Sequence, residues 1–305
     1  VNEKLRVALV DFRRNNSDLP MSIIMEFCRL YRQEKISEDV LGSLIDAINA
    51  YLLRRSICDM NSQNISKLFP AILKKIIEKC NGNYTNILSL LNQEMVGNTA
   101  STSGSYMPTD KQMYEMLHLA NVYKRPALRI ILDRLELDNN PAPINLSKLS
   151  IEHLMPQTPL EEWLEELDTD METYQDNVHR LGNLTLATKP DNSKMGNATW
   201  DYKNAVIKDT AHLILNLELM QIEQWNLQCI EERTQKLIKQ ICTLYPYPDV
   251  KLIENEVDII DENSALETAL ELIGEKLQTV KKGTAYKSLD GNRGYIITTS
   301  KMYPQ

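Results

Sequence analysis

Apolar positions recur at helical spacing from the start of the chain to about residue 138. Leu5, Leu9 and Phe12 form one stripe, and Met21, Ile24, Met25 and Cys28 the next, with Pro20 in a helix-starting position. Ile45, Ile48, Leu52 and Leu53 continue the pattern as far as Arg54-Arg55, a pair expected to end or staple its helix. Leu68, Ile72, Ile76 and Ile77 follow and stop at Asn81-Gly82, which suits a helix C-cap. The stretch from Gly97 to Ser105 is rich in Gly, Ser and Thr, lacks periodicity and reads as a loop. Met113, Met116, Leu117 and Ala120 resume the bundle, and Leu128, Ile131, Leu132 and Leu135 extend it from Pro126. Pro141-Ala142-Pro143 then closes a helical domain expected over residues 1–143.

From Ile144 the texture changes. Leu146–His153 fits a short strand, closed by Pro156, and Leu184–Ala187 fits a second. Between them Leu160–Asn177 is strongly acidic and reads as a solvated face. Lys189-Pro190-Asp191-Asn192 is a helix start with Asp191 or Asn192 near the cap. A strongly apolar helix is expected over Ala205–Met220, and Leu227, Ile230, Thr234, Leu237 and Ile241 share the face of another. Tyr245-Pro246-Tyr247-Pro248 closes this second domain, residues 144–248. In 249–305 an amphipathic helix (Leu266, Ala269, Leu270, Ile273, Leu277) precedes a hairpin, Tyr286–Leu289 and Tyr295–Thr298 around Asp290-Gly291. The expected class is therefore mainly α: a helical bundle, a small ββα core embedded in helices, and a short, incomplete α+β piece.

Composition narrows the function. The 305 residues suffice for two domains, and a chain running from Val1 to Gln305 inside a strand-like run reads as part of something larger. A net charge of -8 and a pI near 5.2 exclude a protein that coats nucleic acid through its overall field, so any phosphate contact is local. The five cysteines are scattered and lack zinc-ligand spacing, as expected of reduced thiols. No run of roughly 18 apolar residues offers a membrane span, and a cytoplasmic protein is expected.

The chemistry concentrates in three stretches: Ile151-Glu152-His153-Leu154-Met155-Pro156-Gln157, then His179-Arg180-Leu181-Gly182-Asn183-Leu184-Thr185-Leu186, then Asn192-Ser193. Phosphodiester hydrolysis needs an activated water and a counter-charge for the transition state. A histidine with an ordinary pKa of about 6.5 can be the base. A carboxylate and an amide carbonyl can hold a hard divalent ion. His153, Glu152 and Asn192 are those groups, and Asn183 suits the tying of the loop between the strands. Neighbours on a regular strand point to opposite faces, so Asp191 becomes the better carboxylate if the strand stays regular. His118 and His212 lie in helical patterns with apolar neighbours and read as core or surface histidines.

These stretches resemble the HNH (ββα-metal) nucleases, and more narrowly the nuclease domain of modification-dependent restriction systems of the GmrSD type. The Glu152-His153 stretch, the Gly182-Asn183 stretch, and Asn192, Asn197, Trp200 and Lys203 look like its three ordered motifs, with Trp225, Ile230, Arg233 and Leu237 similar to its closing helix. Tyr51–Cys58 is similar to the helical region that precedes this nuclease. The resemblance implies an HNH core, and a DNA endonuclease or nickase of anti-phage defence that uses Mg2+ or Mn2+. His153 would be the general base, with Asn183 supporting it catalytically as the loop-fixing residue. Glu152 and Asn192 would be the metal ligands, and His179, Arg180, Asn197 and Lys203 the DNA contacts, Lys203 foremost. Modified phage DNA and a nucleotide-using sensor domain outside this chain would be the partners. An HNH-type RNase effector and a non-catalytic helical DNA-binding adaptor are the alternatives.

Overall fold

The computed structural model describes residues 1–61, 65–97, 105–138, 140, 145–210, 213–250, 284–287 and 293–296. The fold is mainly helical, with a small antiparallel sheet at the site. Residues Val1–Lys251 form one compact unit and Leu252–Gln305 a second.

The first unit is built around α3 (Glu38–Ile57), capped by the Ser37 hydroxyl and buried on nearly every side: Leu44, Ile45, Ile48, Tyr51 and Leu53 are all fully enclosed. Against it lie α1 (Glu3–Asn15), α2 (Met21–Arg32) and, beyond α4 (Leu68–Cys80), α5 (Ile87–Gly97). Asn81 ends α4 in the left-handed conformation expected of a C-cap. Helices α6 (Asp110–Leu117), opened by a Thr109–Gln112 capping box, and α7 (Ala127–Leu137) complete this part. Arg54 staples the bundle from a side chain with no exposed surface. It donates to Tyr245 O (2.7 Å), Pro108 O (2.9 Å) and the Asp110 carboxylate.

Some faces turn out differently from the periodicity. In α2 the buried residues are Ile23, Ile24, Phe27 and Leu30, whereas Met25 is 66% exposed and Met21 is also outside, because the bulky aromatic and branched side chains win the core. Leu9 is likewise exposed. The Gly/Ser/Thr loop over residues 98–104, Pro141-Ala142-Pro143, His212 and the 266–277 helix lie outside the described residues.

After a 3-10 turn at Leu146–Lys148, β1 (Leu149–His153) pairs antiparallel with β2 (Leu184–Thr188) in continuous register, from Leu149 opposite Thr188 to His153 opposite Leu184. The acidic stretch between them folds as α8 (Glu161–Leu167) and α9 (Met171–Val178). Its carboxylates are mostly solvated, while Trp163 and Tyr174 anchor it in a core. Helix α10 (Lys189–Met195) follows β2, and its cap is Thr188, whose hydroxyl accepts from Asp191 N, so neither Asp191 nor Asn192 is the cap. The apolar stretch expected as one helix over Ala205–Met220 is instead α11 (Trp200–Asp209) followed by two 3-10 turns that wrap the sheet. Helix α12 (Leu227–Leu244), capped by Asn226, closes the unit. Leu149, Leu181, Leu184, Leu186 and Leu237 share one apolar cluster with the bundle, so the strands and the helical part have a common core.

Within the second unit, Thr284–Lys287 pairs antiparallel with Arg293–Ile296 at the expected hairpin. The turn at Asp290-Gly291 lies outside the described residues. No helix among the described residues is long and apolar enough to cross a membrane.

Candidate active site

His153 is the last residue of β1, where the strand gives way to the Leu154–Pro156 loop. Asn183 holds that loop. Its Oδ1 accepts from Met155 N (2.7 Å) and Trp225 Nε1 (3.2 Å), and its Nδ2 donates to Met155 O and Val178 O (both 2.8 Å). A side-chain amide has two donors and room for two acceptor contacts, so Asn183 is fully committed. It ties the loop, as expected, and has no capacity left for substrate.

The glycine before it has an equally local reason. A Cβ at Gly182 would lie 2.0 Å from Ile230 O on α12, so only glycine permits this approach. Thr234 Oγ1 accepts from Gly182 N (3.0 Å), and the buried Arg233 donates to Gly182 O (2.7 Å) and Leu184 O (2.8 Å). Helix α12 thus supplies the floor on which β2 begins.

The His153 ring is 5% exposed. Its Nε2 is 3.0 Å from His179 Nδ1, and Tyr123 packs edge-on against it with ring centroids 4.4 Å apart. Tyr123 also stacks flat on His179, at 5.2 Å and 5°. Burial, with His179 and Lys203 near, pushes the pKa of His153 down to about 3, so the imidazole is neutral at physiological pH. His179 is shifted the same way, by burial and by Lys124. Tyr123 and the exposed Lys124 come from the segment between α6 and α7, far along the chain from the motifs, and sequence reasoning missed both. A Tyr-Lys pair without neighbouring polar motif residues carries no signal of its own.

Glu152 takes the opposite face of the strand, as the regular register requires. Lys203 on α11, with no exposed surface, donates to Glu152 Oε1 and to His153 O, each at 2.6 Å. Burial draws Glu152 upward and Lys203 downward in pKa, and their mutual attraction opposes both shifts. This corrects the expectation for Lys203: an enclosed ammonium spent on two internal oxygens meets no phosphate. Arg180 is corrected in the same way. It is buried and donates to His118 O, Asn177 Oδ1 and the Glu231 carboxylate. Asn197 is exposed just before α11, and His179 is half-buried, so both have surface to offer a ligand.

Asn192 on α10 donates from Nδ2 to Ile151 O (2.9 Å), which leaves its carbonyl end for a ligand. Asp191 bonds to Thr188 and Lys194 within its own helix cap. It therefore belongs to the Thr188 end of the sheet, roughly 13 Å of strand away from the His153 end. That removes it as the alternative carboxylate beside His153. Among the described residues no three His, Cys, Asp or Glu side chains converge on one point. The Glu152 carboxylate and the Asn192 amide carbonyl are oxygen donors of the kind a hard divalent ion takes, and not the donor set of a closed zinc cage, but Glu152 is buried and already bonded to Lys203. Any ion at Glu152 would share that carboxylate with Lys203.

Residues 107–240 match the family model of the GmrSD restriction endonucleases, C-terminal domain. The match begins before α6 and so takes in Tyr123 and Lys124 as well as the sheet and most of α12. No curated protein matches the chain.

Proposed function

Starting from residues 107–240 as a GmrSD restriction endonuclease C-terminal domain, we propose that this segment is an HNH-type nuclease that hydrolyses DNA phosphodiesters with His153 as general base. The observation that carries the reading is the gathering of three separate stretches at β1. His153 sits at the strand end, Asn183 ties the loop behind it, and Asn192 is anchored to Ile151 O. The neutral imidazole of His153 takes a proton from water as the water oxygen attacks phosphorus, the bond from phosphorus to the leaving sugar oxygen breaks, and that oxygen takes up a proton from solvent. Its low pKa suits the resting, deprotonated form, and a phosphate arriving beside it raises its basicity. Glu152 and Asn192 would hold Mg2+ or Mn2+, which when bound supplies positive charge to the phosphate oxygens. Lys124, exposed beside His179, replaces Lys203 and Arg180 as the cation offered to the backbone, with Asn197 and His179 as further contacts. Modified phage DNA is the proposed natural substrate, reached through a nucleotide-using sensor partner.

The test is nicking or linearisation of supercoiled plasmid with Mg2+ or Mn2+, alongside a structured RNA. His153→Ala should lower the DNA rate by roughly 10²–10⁴ if base catalysis is its main role, and EDTA should stop cutting. Cutting of RNA alone would make the protein an RNase effector. Binding without cutting, unaffected by EDTA, would make it a helical adaptor.

A further inference from the structure

The contact between the two imidazoles at the strand end has chemical content beyond packing. His153 Nε2 and His179 Nδ1 are 3.0 Å apart, so a single proton lies between them. If it belongs to His179, the neutral His153 carries its own proton on Nδ1 and has no lone pair to offer a water. If it belongs to His153 Nε2, the Nδ1 lone pair is free. Only the second arrangement lets His153 act as a base.

The surroundings hold His179 in place to receive that proton. Its ring lies flat on Tyr123, which in turn meets the His153 ring at 69°. His179 O accepts from Val122 N (3.1 Å), which ties the residue to the same segment that carries Tyr123. On its other side Arg180 is fixed to Asn177, His118 O and Glu231. An acceptor immobilised at the ring plane, flank and backbone is what a tautomer-selecting partner requires.

We infer that His179 is the positioning residue for His153: its Nδ1 accepts the hydrogen bond from His153 Nε2–H and thereby leaves His153 Nδ1 as the atom that takes the proton from water. On this arrangement the imidazolium formed when Nδ1 is protonated keeps its Nε2–H bond to His179, so the charge that develops is met by a fixed acceptor. The inference rests on the reading of His153 as the base.

The experiment uses the whole chain, supercoiled plasmid and Mn2+, with kcat and KM measured separately for His153→Ala, His179→Leu and His179→Asn. The Asn carbonyl oxygen sits where histidine carries Nδ1, so His179→Asn restores an acceptor that His179→Leu removes. His179→Leu should lower kcat by about 10–100-fold, with KM rising no more than the loss of one backbone contact allows, and His179→Asn should recover most of the loss in kcat. Full activity in His179→Leu, or equal impairment in both His179 variants, overturns the inference while a dead His153→Ala keeps the nuclease reading intact. Normal cutting by His153→Ala overturns both. Should His179→Leu fail to fold, ring ¹⁵N spectra of the histidine-labelled wild-type chain decide the matter. A protonated Nε2 and bare Nδ1 at His153 support the assignment, and the reverse tautomer ends it.

Discussion

Two cores in the first unit are built from different materials. The larger, around α3, is mostly Ile and Leu interdigitating between helices. The smaller, beneath the site, contains all three tryptophans of the chain, with Tyr174, Leu154, Met155 and Met195. Each aromatic there has a polar tip that fastens a loop. Trp163 donates to Ala198 O (3.1 Å), Trp200 to Ile222 O (3.1 Å), Trp225 to Asn183 Oδ1 (3.2 Å), and Tyr174 to Pro156 O (2.7 Å). The sheet lies between the two: Leu184 and Leu186 belong to the large cluster, and Ala187 to the small one. Helices satisfy their own backbones, so dispersion and burial suffice to pack them. A site made of irregular loops needs directional bonds to hold its groups in place, and those bonds come from amphipathic aromatics and amides.

The buried cation of each region is the strongest point at which to break this comparison. Lys203→Met leaves Glu152 enclosed without its partner, and a loss of about 3–5 kcal/mol is expected. Adding Glu152→Gln should recover much of it in urea titrations. A single variant as stable as the double would mean the pair does not hold α11 to β1.

The next test sets one core against the other. Leu44→Ala in α3 should cost about 2–5 kcal/mol and leave the cutting rate per folded molecule unchanged. Trp225→Phe keeps an aromatic ring but loses part of the buried indole and its bond to Asn183, costing roughly 1–3 kcal/mol. Its cutting rate should nevertheless fall by roughly 10–100-fold, because the loop behind His153 loosens. Equal activity losses in the two variants would erase the distinction between packing and positioning.

The smallest effect concerns pH. Burial pushes the Glu231 carboxyl up, but hydrogen bonds from Arg180, His118 and Gln235 outweigh it and hold the pKa at about 2 against an ordinary 4.5. Ionised Glu231 therefore stabilises the fold fully above pH 4.5, and that contribution fades as the pH falls toward 2. The gap in melting temperature between wild type and Glu231→Gln should be widest near neutrality and close below pH 4.5. A gap that widens on acidification would contradict the assigned ion pairs.

Much of this was visible in the linear chain. Ile45, Ile48, Leu52 and Leu53 sit where a 3.6-residue period puts them, and Asn81, Asn183 and the ends of β2 fall within a residue of expectation, whereas β1 starts three residues late because Leu146–Lys148 is a 3-10 turn. In α2 the face slipped because methionine competes there with Ile and Phe, and hydropathy alone does not separate a flexible side chain from a well-packing one. The charged residues slipped for a different reason. Lys203 and Arg180 read as phosphate contacts because a cation beside a motif reads as exposed, yet each is consumed by a carboxylate, Glu152 or Glu231, distant along the chain.

The order of residues by itself determined the helical class, the two short strands and the glycine–asparagine turn, because each depends on local periodicity or on the conformational needs of one side chain. Only the tertiary structure decided that Glu152 faces Lys203, that His153 meets His179 and Tyr123, and that Asp191 belongs to its own helix cap. Those outcomes depend on which nitrogen or oxygen is brought within about 3 Å of another, and pattern along a chain carries no information about a distance set by the packing of several elements at once.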